Sequence, residues 1–368
     1  MPHTSQQPTT LPAVTRQHIP SLDGLRGLAI LLVLFWHYYN PAWFPAWIGV
    51  DLFFVLSGYL ITAGLVVTAG RPDYYSAFYR RRILRVFPLY YTVLIGFFVL
   101  VHFFMKKENL PTVSFYTTHW INFFTFTQNW AIIHFNPVLA NRSLEHTWTL
   151  AVEEQFYLIW PLLLSLLPTS RYRLHIFLAL ILLILAVRIT CYLCFPSTDH
   201  LFYFNTFFRM DSILAGATIY QLQLLGIKIP RPGYLMAILG LLIAAGCIVE
   251  KNVSGTNAFF QTIGFTLVAV IFACLLYLAV QPSGQSLTRW LQWSFLRYCG
   301  KISYGLYLLH YPILFLLQFW IDRSMTTRWP DHHELAFFSS TAICIALSFL
   351  VSTVSYRYFE SYFLRLKR

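Results

Sequence analysis

The chain has 368 residues, of which 57% are hydrophobic, 18% aromatic and only 11% charged, and it carries a net charge of +12. A soluble domain devotes about a quarter of its residues to charge, so a water-soluble globule is excluded, as are disorder and a collagen-like or disulfide-built scaffold. A net positive balance suits nucleic acid in principle, but its distribution along this chain points to a lipid bilayer.

A membrane-crossing helix needs about 20 mostly apolar residues. Met1 to about Pro20 is polar and lacks the apolar stretch of a cleavable signal peptide. Beyond it the apolar runs predict ten spans, at about 24–40, 47–69, 86–105, 147–167, 174–195, 206–225, 234–250, 258–280, 301–321 and 334–357. With both termini cytoplasmic, 17 of the 26 basic residues fall on the inner side, among them Arg16, Arg80, Arg81, Arg82, Arg85 and Arg368. Six fall outside, Lys106, Lys107 and Arg142 among them, and the rest lie within spans. That asymmetry fits the positive-inside rule and an even number of spans. The expected fold is an all-α polytopic membrane protein of about ten transmembrane helices. It has a polar segment over 1–20, a membrane domain over 21–363 and a basic tail over 364–368. The expected location is the plasma (inner) membrane.

Charge inside a span is costly and marks function by default. In the first span Arg26 and His37 are eleven residues apart, three turns plus roughly 20°, so they share one helix face about 16 Å apart along its axis. Arg26 alone would snorkel to the inner interface, and His37, between Trp36 and Tyr38, would suit an interfacial belt. In the second span Asp51 lies at about the depth of His37, where it either orients the imidazole or caps the helix. Arg80, Arg81, Arg82 and Arg85 follow on the inner side. They read as a lipid anchor or, through Arg82 and Arg85 at i, i+3, as a fork that grips phosphate.

The fourth span carries Glu153 and Glu154, which cannot both point at one partner. Glu153 shares a face with Tyr157 and Trp160 and lies near the depth of His37. A neutral, hydrogen-bonded Glu153 between helices is the bland alternative. Arg209 and Asp211 open the sixth span and read as a local ion pair. In the ninth, His310 lies two residues before the helix-kinking Pro312 and either serves the site or bonds a backbone carbonyl near the kink. Cys191 and Cys194 form a C-x-x-C pair with no second pair or histidine cluster, so no metal site is expected. Asn141-Arg142-Ser143 matches a glycosylation tripeptide too common to carry weight.

Five of these stretches together resemble the acyltransferase-3 family of integral-membrane O-acyltransferases. Ser21-Leu22-Asp23-Gly24-Leu25-Arg26-Gly27 with His37 is similar to its Arg-x10-His signature. Gly49 to Ile61 is similar to its second-span motif, and Arg82-Ile83-Leu84-Arg85 to its Arg-x-x-Arg. Trp148 to Tyr157 and Ile302 to His310 are similar to its later motifs. Three consecutive arginines leave the Arg-x-x-Arg partner set ambiguous. The chain stops soon after its last span, as expected for a form without the extracellular SGNH-type domain that many members carry.

The resemblance implies transfer of an acyl group, acetyl above all, from cytoplasmic acyl-CoA to a hydroxyl of a glycan, lipid-linked or small-molecule acceptor at the outer face. No metal or nucleic acid takes part. It implies that His37 acts as general base or transient acyl carrier, with Glu153 or Asp51 holding its tautomer. Arg26 either binds the donor or props the helix. Arg81, Arg82 and Arg85 with Ser57 and Tyr304 are expected at the donor, and Trp148, Tyr157 and His310 at the acceptor. Trp120, Trp130, Tyr116 and Asn129, in or beside the outer loop of 106–146, are further candidates for stacking on and bonding a sugar. A secondary transporter is the competing reading, because intramembrane Arg, His and Glu also build ion paths. It leaves the arginine fork unexplained and predicts half-repeats that the sequence lacks.

Overall fold

A computed structural model describes residues 19–105, 111–135, 143–168, 171–195, 199–281, 284, 286–328 and 333–367. Met1 to His18, Lys106, Lys107, Asn141, Arg142 and Arg368, all used above, lie outside these residues. Among the described residues every regular element is helical. Ten long helices run in order: α1 (Pro20–Tyr39), α2 (Gly49–Val67), α3 (Tyr74–Leu100), α4 (Trp148–Leu166), α5 (Arg171–Cys194), α6 (Thr206–Leu224), α7 (Pro232–Glu250), α8 (Phe265–Val280), α9 (Ser303–Arg328) and α10 (His333–Val354). Three short helices, Pro111–Thr118, Trp120–Phe124 and Gln128–Phe135, lie between α3 and α4.

Six segments are long and apolar enough to cross a membrane: Ala46–Val67, Tyr74–Phe103, Arg171–Cys194, Pro232–Glu250, Phe260–Val280 and Glu334–Arg365. Helices α1, α4, α6 and α9 are long but fall outside that set. The first three carry charge in mid-helix (Arg26, Glu153 with Glu154, and Arg209 with Asp211) and turn much of their surface inward. At the other extreme α7 buries no residue and presents Ile238, Leu241, Ile248 and Val249 outward. Polar groups inside and apolar ones outside is the inverse of a soluble fold. It is what a helix bundle needs when hydrocarbon replaces water.

Helix α3 starts twelve residues before the span predicted at 86–105, so the arginine run is helical and its members are sorted by face. Helices α2 and α6 cross in close contact at Gly58 and Gly216, where a β-carbon would overlap the carbonyl oxygens of Ile213 and Val55 respectively. Small residues let two backbones approach in this way where hydrophobic packing alone gives little preference in lipid.

One ion pair pins this crossing and a second ties α6 to α5. Arg209 Nη2 lies 2.9 Å from both carboxylate oxygens of Asp51, which also accepts from Ser212 Oγ at 2.9 Å. The guanidinium stacks over Phe265, 3.8 Å from the ring centroid. Arg188 donates to Asp211 at 3.0 Å and to the carbonyl of Thr262 at 2.9 Å, within a π-helical turn over Phe260–Gly264 that frees such carbonyls. All four side chains are fully buried. Arg209 and Asp211 are therefore not a local pair as expected: each finds its partner on another helix. Adjacent charges a short step apart on a helix diverge, and tertiary partners sit where each one points.

Candidate functional site

Two cavities enter the bundle from opposite ends of α1, and a chamber lies between them. The first, about 280 Å³, is lined at its mouth by Arg26, Arg82 and Arg85 and deeper by Ser57, Glu153, Tyr157, Tyr304, Thr149, Val50 and Tyr307. The second, about 250 Å³, opens at the other end between Asn40, Glu145, His200, Ser254 and Thr256, over Trp36, Trp47, Trp148 and Tyr203. Between them lies a chamber of about 30 Å³ lined by Val33, Trp36, His37, Trp47, Val50, His146, Trp148, Tyr203 and Tyr307. Val50 and Tyr307 belong to both the arginine-end cavity and the chamber. His37, His146, Trp36 and Trp148 belong to both the chamber and the far cavity. A cavity needs about 10–15 Å³ to hold one water, so the chamber of about 30 Å³ has room for about two to three heavy-atom groups.

The arginine end gathers most of the residues expected at the donor. Starting α3 at Tyr74 turns Arg82 and Arg85 into the cavity and leaves Arg81 outside its lining, which resolves the ambiguity of the run. The Arg82 guanidinium lies 5.1 Å from the Tyr157 ring centroid. Among the described residues no carboxylate comes within 4 Å of Arg82 or Arg85, so neither is closed into an internal ion pair. Arg26 is paired instead with Asp23, 3.0 Å away. Lys367, beyond the last span, joins this cluster. Its own burial and then Arg85, Arg82, Arg26 and Arg81 push its ammonium down to about 7. Ser57 donates to Glu153 and accepts from the Tyr157 hydroxyl at 2.9 Å. The Tyr304 hydroxyl donates to the carbonyl of Val86 at 2.7 Å, tying α9 to α3. A cavity with a cationic mouth and an apolar, hydroxyl-dotted throat fits a phosphate-bearing head on a long, mostly uncharged arm.

His37 has a different partner from those expected. Asp51 is spent on Arg209 and Ser212, and Glu153 lies at the arginine-end cavity with Ser57. His37 Nδ1 lies 2.8 Å from Nε2 of His310, a fully buried residue of α9. His310 Nδ1 in turn lies 2.8 Å from the carbonyl oxygen of Leu306. A carbonyl only accepts, so His310 Nδ1 carries the proton and the Nε2 of its neutral ring carries the lone pair. His37 Nδ1 must then be the donor, which puts the lone pair of His37 on Nε2. The backbone of α9 thus dictates the tautomer of His37 through one intervening ring. On the adjacent face of α1, Tyr38 Oη lies 2.9 Å from Ser348 Oγ, locking α1 against α10.

His310 was expected at the acceptor but lines none of the three spaces; its contact with them is through His37. Tyr157, also expected there, lies at the arginine end with Glu153, whose face it shares at i+4. Trp148 does line the far cavity. Of the loop candidates, Tyr116 accepts from the backbone N–H of Leu144, Asn129 donates to Phe204 and Thr206, and Trp130 donates to Gln155. Trp120 lies in a separate apolar groove with Phe98 and Phe124. None of these four lines the far cavity.

Tyr307 falls inside the Ile302 to His310 motif and His146 just before the Trp148 to Tyr157 motif, and neither stands out as a site residue in the sequence. The signal available was positional: His37 and His146 fall towards the same side of the membrane in the predicted spans.

The acyltransferase domain family matches residues 19–357. The peptidoglycan O-acetyltransferase OatA of Listeria monocytogenes is 29% identical over 94% of the chain and 56% of its own length. The putative peptidoglycan O-acetyltransferase YrhL of Bacillus subtilis is 33% identical over 82% of the chain and 49% of its own length. The O-acetyltransferase OatA of Staphylococcus aureus is 28% identical over 94% of the chain and 57% of its own length. The chain thus spans about half the length of the curated relatives it matches. No solved structure matches it.

Proposed function

The chain belongs to the acyltransferase-3 family, and from that premise we propose that it is a membrane O-acetyltransferase passing an acetyl group from cytoplasmic acetyl-CoA to a glycan hydroxyl at the outer face. Ten helices cross the inner membrane with both termini in the cytoplasm, which puts the arginine end inside and the far cavity outside. The names of the relatives support peptidoglycan or a similar saccharide as acceptor.

Arg82 and Arg85, beside Arg26 of α1, hold the donor phosphates. The throat past Ser57 and Tyr304 takes the arm, and the acetyl group reaches the chamber. There His37 Nε2 removes the proton of the acceptor hydroxyl as its oxygen attacks the thioester carbonyl carbon. The new C–O bond forms, the C–S bond breaks, and the proton passes from His37 to the departing sulfur. General-base help of this kind is worth about 10²–10⁴ in rate. His310 holds the base in its working tautomer and stabilises the charge that develops on it.

The observation that carries this reading is the shared lining of the three spaces: the arginine-lined cavity and the outward-opening one meet at a chamber of acetyl size, with His37 in its wall. The test is acetyl-CoA binding and slow thioester hydrolysis by the purified protein in detergent, wild type beside His37→Ala. Binding by both with hydrolysis only by wild type is expected. Failure of the folded wild type to bind acetyl-CoA would overturn the donor assignment.

A further inference from the structure

We propose that the outward-opening cavity is the seat of the saccharide acceptor and that His146 is the residue that holds the hydroxyl to be acylated. This rests on the reading above and extends it to residues that reading leaves idle.

His146 is only 4% exposed, yet neither of its ring nitrogens has a hydrogen-bond partner among the described residues. A buried imidazole without partners has lost its bonds to water and gained none, and it is the kind of group a ligand completes. It cannot turn away. Its carbonyl accepts from the Tyr307 hydroxyl at 2.6 Å and from Thr149 at 3.3 Å, and its ring is packed by Tyr307, His310 and Tyr311 with centroids 5.2–5.3 Å away. It lines both the chamber and the outer cavity, in each case together with His37.

The rest of the cavity is amphipathic in the way a sugar ring is. Trp36, Trp47 and Trp148 offer aromatic surface to its C–H faces, while Asn40, Glu145 and Thr256 offer hydrogen bonds to its hydroxyls. Since neither nitrogen of His146 is committed, the ring presents an N–H at whichever edge meets the ligand. The acceptor oxygen takes that N–H, and its own proton faces His37 Nε2. When the oxygen attacks, the C–O bond forms, the C–S bond breaks, and the proton leaves through His37 to the sulfur. His146 stays neutral and keeps its proton throughout.

The test uses the full chain in detergent, [¹⁴C]acetyl-CoA as donor and the N-acetylglucosamine tetramer as soluble acceptor probe. Transfer to the probe and hydrolysis by water are read on the same sample. His146→Ala is expected to raise the probe KM and cut transfer relative to hydrolysis by at least about tenfold, the scale of one lost buried hydrogen bond. His146→Gln, which keeps an N–H donor, should recover part of it. Thr256→Trp, which fills the outer mouth far from the thioester, should lower the same ratio without touching His146.

The assignment falls if transfer and hydrolysis drop together in both His146→Ala and Thr256→Trp, or if neither variant changes the ratio. It falls equally if wild type hydrolyses acetyl-CoA but acetylates no saccharide, a result that leaves the donor reading standing. A wild type that neither binds nor hydrolyses acetyl-CoA would instead remove the donor reading, and this assignment with it.

Discussion

Replacing His310 by alanine isolates the relay behind the proposed base. His310 lines neither cavity, so the donor contacts stay as they are, but the bond from His37 Nδ1 at 2.8 Å is lost. Its ring also packs against His146, which is why thioester cleavage rather than transfer is read. Without that acceptor the imidazole is free to carry its proton on Nε2, the wrong atom for a base. When a buried carboxylate plays this part in a catalytic triad, its loss costs about 10⁴ in turnover. A neutral ring stabilises the developing imidazolium less, so the expected loss here is on the order of 10²–10³. Truncating a fully buried ring also costs about 2–4 kcal/mol of stability, so melting in detergent must accompany the kinetics. His310→Gln offers a carbonyl oxygen to His37 and should recover about tenfold. The assay is single-turnover thioester cleavage at saturating acetyl-CoA, with donor affinity titrated separately. Turnover by folded His310→Ala within threefold of wild type, or a loss confined to donor affinity, would refute the relay.

Other expectations address the remaining roles. Arg82→Ala with Arg85→Ala should weaken acetyl-CoA binding by about 10–100-fold with the difference shrinking in high salt; unchanged binding would make these arginines membrane anchors. Asp51→Ala should lower the melting point by stranding the Arg209 charge, at a cost of about 3–5 kcal/mol, while Asp51→Leu with Arg209→Leu should lie nearer wild type. A well-folded Asp51→Ala that lacks turnover would return Asp51 to the chemistry. Lys367 gives a pH dependence. Burial and the arginines hold its ammonium down to about 7, and a bound phosphate favours the charged form. Binding then takes up a proton, so affinity falls as pH rises from 6 to 9. Measured donor affinities should show this slope in wild type and lose it in Lys367→Met; parallel curves would exclude Lys367 from the cluster.

Composition and apolar runs were enough to locate the long helices, because a span's length is set by the bilayer and its ends by charge. The same logic found Arg26, His37, Arg82, Arg85 and Glu153, since charge inside an apolar run is conspicuous. Faces were legible where both residues ride one helix, as for Glu153 with Tyr157. Pairings between helices were not. Asp51 and His310 are 158 and 273 residues from Arg209 and His37, and depth in the membrane says nothing about which way a helix is rotated. Depth left Asp51 between orienting His37 and capping its helix, whereas α2 turns that carboxylate towards Arg209 and Ser212 of α6. His146 was missed for the opposite reason. It lies just before α4, where a histidine beside Trp148 reads as an interfacial residue, and only the packing of Tyr307 and Tyr311 around it reveals that it is enclosed.

The narrowness of the chamber has an electrical consequence. A unit charge moved across the bilayer changes energy by about 2.3 kcal/mol per 100 mV, so any enzyme working across a polarised membrane must control what it lets through. A space of about 30 Å³ matches an acetyl group and is far too small for a nucleotide, so on the proposed route only the acetyl group and a proton cross this waist. On that route, what travels outward is formally an acyl cation, and what returns inward through His37 is a proton. The two charges cancel, and turnover should be indifferent to membrane potential for as long as both cross at the same narrow place.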